Sequence, residues 1–96
     1  MIALFLSYVK TILGDESMAR IIDGDEMNIV GHNIKKLRKK NKMSQQELSN
    51  KLELLGVYVC RGSVSRIEDK SRTVTDIELF AIANVLNVPI EELFNK

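Results

Sequence analysis

Two short runs, Ser44-Gln45-Gln46-Glu47 and Thr75-Asp76-Ile77-Glu78, constrain this chain more than any other feature. Each is a capping box: the hydroxyl accepts from the backbone N–H three residues on, and the glutamate accepts from the N–H of the cap residue. Each therefore marks the first turn of a helix. Leu48, Leu52 and Leu55 follow the first box at helical spacing and should face inward, and Gly56 stops that helix. Ile77, Phe80, Ala81 and Leu86 are among the apolar residues after the second box. No stretch alternates convincingly as a strand does, and there is no internal repeat. With three Phe, two Tyr and no Trp, the core must be mainly aliphatic. The chain reads as all-α, built from short helices.

Weaker signals place the remaining elements. Asn28 can cap a first helix whose apolar positions Val30, Ile34 and Leu37 run at i, i+4 and i+7, ending near Asn41. Cys60 stands at the N-cap of a third helix, Arg61 to Asp69, with Val64 and Ile67 as its buried pair. Lys70 to Val74 form a loop, and Pro89 opens a short fifth helix ending near Phe94. Ahead of these, Ile2, Phe5, Leu6, Val9, Ile12 and Leu13 make a separate amphipathic helix, followed by a polar linker with a turn at Asp23-Gly24-Asp25. Residues 1–27 are thus a helix and linker, and residues 28–96 a five-helix domain. Met27 opens a stretch holding the whole domain, so the sequence leaves open a native product that starts there.

Charge and rare residues exclude several functions. The formal net charge of the 96 residues is only +1, but GHNIKKLRKKNK, residues 31–42, holds five Lys and one Arg with no acid. Basic charge is therefore concentrated on the domain, whereas the preceding segment is acidic. A single cysteine, Cys60, rules out an intrachain disulfide. With His32 as the one histidine, there is no cluster for zinc and no base placed beside a nucleophile, so no metal, cofactor or catalytic residue is expected. The apolar run MIALFLSYVKTIL is interrupted by Lys10 and falls short of the ~20 residues a membrane span requires. It also lacks the charged start and cleavage site of a signal peptide. The cytoplasm is the expected location.

RGSVSRIEDK, residues 61–70, suggests what the domain touches. With Val64 and Ile67 turned inward, Arg61, Gly62, Ser65 and Arg66 form one outer stripe. Small residues clear a path for close approach, and two arginines can fork onto guanine O6 and N7 in a major groove about 12 Å wide. A capped helix, a turn and a small-residue helix is the helix-turn-helix arrangement.

Residues 29–94 resemble the Cro/CI-type phage repressors, also called xenobiotic-response-element-type regulators. The likeness is carried in order by I-x-x-L-R, M-S-Q-x-E-L, S-x-S-R-I-E and A-x-x-L-x-V-x-x-x-E-L-F. It implies a five-helix repressor-like domain that binds double-stranded DNA as a homodimer. It further implies that Gln45 bonds a phosphate and braces the reading helix, and that Arg61, Gly62, Ser65 and Arg66 face bases or nearby phosphates, with Ser63 close to the groove. Lys70, Ser71 and Arg72 would lie along the phosphate backbone. Arg38 and Glu68 match a buried ion pair of the family, a scaffold feature. The sequence departs from the family after Leu52, where ELLGVYVC replaces a tight turn, so the second helix should gain a turn and the connection lengthen. The leading expectation is a sequence-specific regulator, a repressor on a palindromic operator. The alternative is an antitoxin that neutralises a toxin and represses its own operon, with the N-terminal helix as its toxin-binding or dimer-forming element. Cys60 has two readings, a redox-sensitive thiol or a stand-in for a capping Ser.

Overall fold

The computed structural model describes residues 25–95. The expected helix at residues 2–13 and nearly all of the linker lie outside the described residues. Four α-helices follow in order: α1 (Gly31–Lys40), α2 (Gln45–Leu54), α3 (Arg61–Glu68) and α4 (Asp76–Leu86). The fifth helical element, Ile90–Phe94, is a 3-10 helix, with Pro89 as its cap residue. No strand occurs among the described residues.

Both capping boxes form. Ser44 Oγ accepts from Glu47 N at 3.0 Å while Ser44 N donates to Glu47 Oε1 at 3.2 Å. Thr75 Oγ1 accepts from Glu78 N at 3.1 Å, and Thr75 N donates to Glu78 Oε1 at 2.9 Å. Asn28 behaves differently from a simple cap. Val30 holds the cap position without a side-chain bond, and Asn28 sits buried two residues earlier. Its Oδ1 accepts from Val30 N and Gly31 N, at 3.1 and 2.8 Å. Its Nδ2 donates to Ile67 O at 3.0 Å and Arg72 O at 2.8 Å. One amide thus satisfies the start of α1 and fastens it to the end of α3 and the loop beyond, a connection that sequence spacing does not reveal.

All four α-helices end alike. A residue in the left-handed region bonds back to the helix, and the next residue bonds to the carbonyl one residue further in, which is the Schellman pattern. After α2 the left-handed residue is Gly56, φ 80°, with Gly56 N donating to Glu53 O and Val57 N to Leu52 O. Asn87, φ 57°, does the same after α4. After α1 and α3 it is a lysine: Lys42 at φ 56° and Lys70 at φ 66°. A side chain in this region costs about 1–2 kcal/mol that glycine avoids.

The core gathers Ile34, Leu48, Leu52, Val64, Ile67, Ile82 and Leu93, each less than 2% exposed. Burying a side chain of this size contributes about 1.5–3 kcal/mol, so this cluster is the main force holding the bundle. α2 packs on α3 and α4, while α1 lies across α3 and the 3-10 helix. Leu55 does not join the core, contrary to its spacing: it is 54% exposed, because α2 ends at Leu54 and the Schellman turn swings Leu55 outward. Val59, 2% exposed, fills the space from the connection, with Val57 half-buried beside the core. α2 does run on past Leu52, with Glu53, Leu54 and Leu55 exposed before the turn at Gly56, and the connection that follows is extended and leaves Tyr58 79% exposed.

Candidate nucleic-acid interface

α3 presents its two faces as the helical period requires. Val64 and Ile67 are 1% exposed, whereas Arg61, Gly62 and Arg66 are exposed and Ser63 and Ser65 half-buried. Nothing in the fold demands glycine at position 62. Its φ is not left-handed, and a Cβ there would meet only the flexible tip of Arg66, at 3.7 Å. Alanine would be the better helix former, so the missing side chain leaves open space on the outer face rather than room for the protein itself.

At the end of α3, Glu68 organises the neighbourhood. Its carboxylate takes Arg38 Nε at 2.6 Å and Nη2 at 3.0 Å, a bidentate fork in which both side chains are under 10% exposed. Arg38 Nη1 also donates to Met43 O at 2.7 Å. Gln45 Nε2 donates to the same Glu68 Oε1 at 3.1 Å, which ties the head of α2 to the tail of α3. That bond uses one of the two amide N–H groups of Gln45, leaving the other free to donate. No buried side-chain polar atom among the described residues lacks a partner.

The loop after α3 is heavily cross-linked. Lys70 Nζ meets Glu26 Oε1 at 3.3 Å, while its backbone O accepts from Met27 N at 2.9 Å. Asp69 Oδ1 accepts from Ser71 Oγ at 2.5 Å and Ser71 N at 3.0 Å, and bonding from the Ser71 hydroxyl holds this carboxyl below its usual range. Arg72 forks onto Glu78 at 2.9 and 2.7 Å. The three loop residues expected along the phosphate backbone therefore all have partners within the chain. Sequence spacing could not show this, since Glu26 lies 44 residues before Lys70.

The Arg72 pair has a pH signature. Bonding from Arg72 holds the Glu78 carboxyl below its ordinary 4.5. A depressed folded-state value contributes stability that is complete above the unfolded value and is lost as pH falls through the folded one. Glu78→Gln keeps a side chain able to close the capping box but cannot titrate. Thermal melts should therefore show wild type more stable than Glu78→Gln above about pH 5, the gap narrowing as pH drops below 4.5. A gap that stays constant down to acid pH would show that the ion pair adds nothing.

Cys60 occupies the N-cap of α3 with extended backbone, φ −69° and ψ 164°, yet makes no side-chain capping bond. Its sulfur lies 3.5 Å from Ser63 Oγ, and that hydroxyl is the chief cause holding the thiol below its ordinary 9.0. Cys60, Tyr58, Ser49, Glu53, Val59 and Ser63 line an open hollow of about 330 Å³ beside the start of α3.

Two short helices packed on one another, the second carrying exposed arginines on a cleared outer face, define a helix-turn-helix protein. The helix-turn-helix family matches residues 34–93, from the middle of α1 to the 3-10 helix. The chain belongs to this family, and so to the DNA-binding transcriptional regulators of the xenobiotic-response-element type. No curated protein matches it. Among the described residues, no helix is long and apolar enough to cross a membrane.

Proposed function

We propose that the protein is a sequence-specific repressor that binds a palindromic operator as a homodimer, each copy placing α3 in the major groove. The observation that carries this reading is how the domain uses its arginines. Arg38 and Arg72 are each forked onto a carboxylate. Arg61 and Arg66, on the outer face of α3, have no acidic partner among the described residues, and the Arg66 side chain makes just one bond there, to Ser63 Oγ at 3.2 Å. A fold that neutralises the other two arginines among the described residues with carboxylates has left these two to an outside partner. Base edges accept in the pattern an arginine fork requires, and phosphates supply the opposite charge. Gly62 and Ser65 beside them allow the helix to approach closely.

Selection from a random duplex library with the full chain, followed by footprinting, tests this reading. Enrichment of an inverted repeat whose half-sites lie about one helical turn, ~10 base pairs, apart is the expected result. Failure to enrich any sequence would count against specific recognition, and a single asymmetric site would count against the dimer.

The exposed Leu54, Leu55 and Tyr58, at 85%, 54% and 79%, support a second reading. Exposed apolar side chains so close in sequence suit a protein partner, which gives the antitoxin alternative a surface apart from the N-terminal helix. Stable co-purification with a toxin encoded beside the gene would favour it.

A further inference from the structure

We infer that Lys42 is a phosphate-contacting cation of the DNA interface, retained in a strained backbone position for its charge. The inference rests on the DNA-binding reading above and extends it to a residue outside α3.

Lys42 is the left-handed residue that ends α1, at φ 56°. Its backbone duties need no side chain: Lys42 N donates to Lys39 O at 2.9 Å, and Met43 N to Arg38 O at 3.1 Å. Glycine would perform both without strain, as Gly56 does after α2. The Lys42 side chain is exposed and has no hydrogen-bond or acidic partner among the described residues. Nothing inside the domain accounts for a long cation at that φ.

Its position does. Lys42 stands between Arg38, which reaches Glu68 at the tail of α3, and Gln45, which bonds the same carboxylate from the head of α2. The other left-handed lysine, Lys70, closes α3 two residues after Glu68. The two strained lysines thus follow α1 and α3, two of the three helices that this buried network joins. With α3 in the groove, a cation beside the head of α2 faces the sugar-phosphate wall. Lys70 is partly neutralised by Glu26, whereas Lys42 meets no acid among the described residues. Other exposed lysines, such as Lys39 and Lys40, sit in ordinary helical geometry, where a solvated face explains them.

Lys42→Gly separates charge from strain. The full-length variant should melt about 4 °C higher than wild type and bind the selected operator more weakly. Loss of one phosphate contact lowers the slope of log affinity against log salt by about 0.9 and weakens the selected and scrambled duplexes by the same factor. Lys42→Arg should keep the wild-type slope. If Lys42→Gly keeps wild-type affinity and slope while Arg66→Ala weakens operator binding, the inference is overturned and the DNA reading stands. If the selected duplex is bound no better than the scrambled one by wild type and Arg66→Ala alike, the recognition reading fails and this inference falls with it.

Discussion

Glu68→Ala should lower the unfolding free energy by about 3–5 kcal/mol, the range seen when one partner of a buried ion pair is removed. Arg38 would keep its charge in a site where its side chain is only 8% exposed, with a single remaining acceptor, Met43 O. Gln45 would lose its partner as well, freeing the head of α2 from α3. A small domain has about 5–15 kcal/mol in total, so Glu68→Ala should be partly unfolded at ordinary temperatures. Replacing both partners, as Arg38→Met with Glu68→Leu, should recover most of the loss, because no charge is then stranded. Urea titration of the two single variants and the double variant reads this directly. If Glu68→Ala lies within 1 kcal/mol of wild type, the buried network is not the brace described.

The second large effect lies at Gly31. Replacing a helical glycine by alanine ordinarily adds up to about 1 kcal/mol of stability. At Gly31 the sign should invert. A Cβ there would fall 2.0 Å from Ile67 O, with Asn28 Oδ1 and Glu68 O each at 3.1 Å. Ile67 O belongs to the backbone of α3, so no side chain can turn away; α1 must move by about an ångström. That shift would pull on the Asn28 bonds to Ile67 O and Gly31 N and open the packing around Ile34. Overpacking of this kind costs about 1–3 kcal/mol, and the loss at Gly31 should reach the top of that range. Gly62→Ala is the control: with open space around it, the substitution should stabilise the fold by up to about 1 kcal/mol. If both variants prove equally stable, the close approach of α1 and α3 is wrong.

These two glycines show what the sequence could and could not reveal. Gly62 stood out because its neighbours on α3 form a pattern, whereas Gly31 is fixed by a backbone 36 residues away and carries no local sign. The starts of α2 and α4 were legible because a capping box is written in four consecutive residues. Helix ends were not. Gly56 announced itself, but Lys42 and Lys70 take the same left-handed role without any residue preference to mark it, and Asn87 takes it with a preference weaker than that of glycine. Leu55 continues the apolar period of Leu48 and Leu52, so periodicity pointed it inward; a turn closing one residue earlier exposed it. On the candidate interface, the α3 stripe followed from helical period and needed no tertiary knowledge. The partners of Lys70 and Arg72 did need it, because Glu26 and Glu78 reach them through the folding of the chain.

The central claim is that the outer face of α3 recognises DNA. Fluorescence anisotropy of full-length wild type, Arg61→Ala and Arg66→Ala, titrated onto the selected operator and a scrambled duplex at two salt concentrations, tests it most directly. Wild type should prefer the operator by about 10³ or more. Each alanine variant should lose about 1–3 kcal/mol on the operator, roughly ten- to a hundredfold, and less on the scrambled duplex. Two alanine variants that bind the operator as wild type does, with the preference intact, would contradict the account.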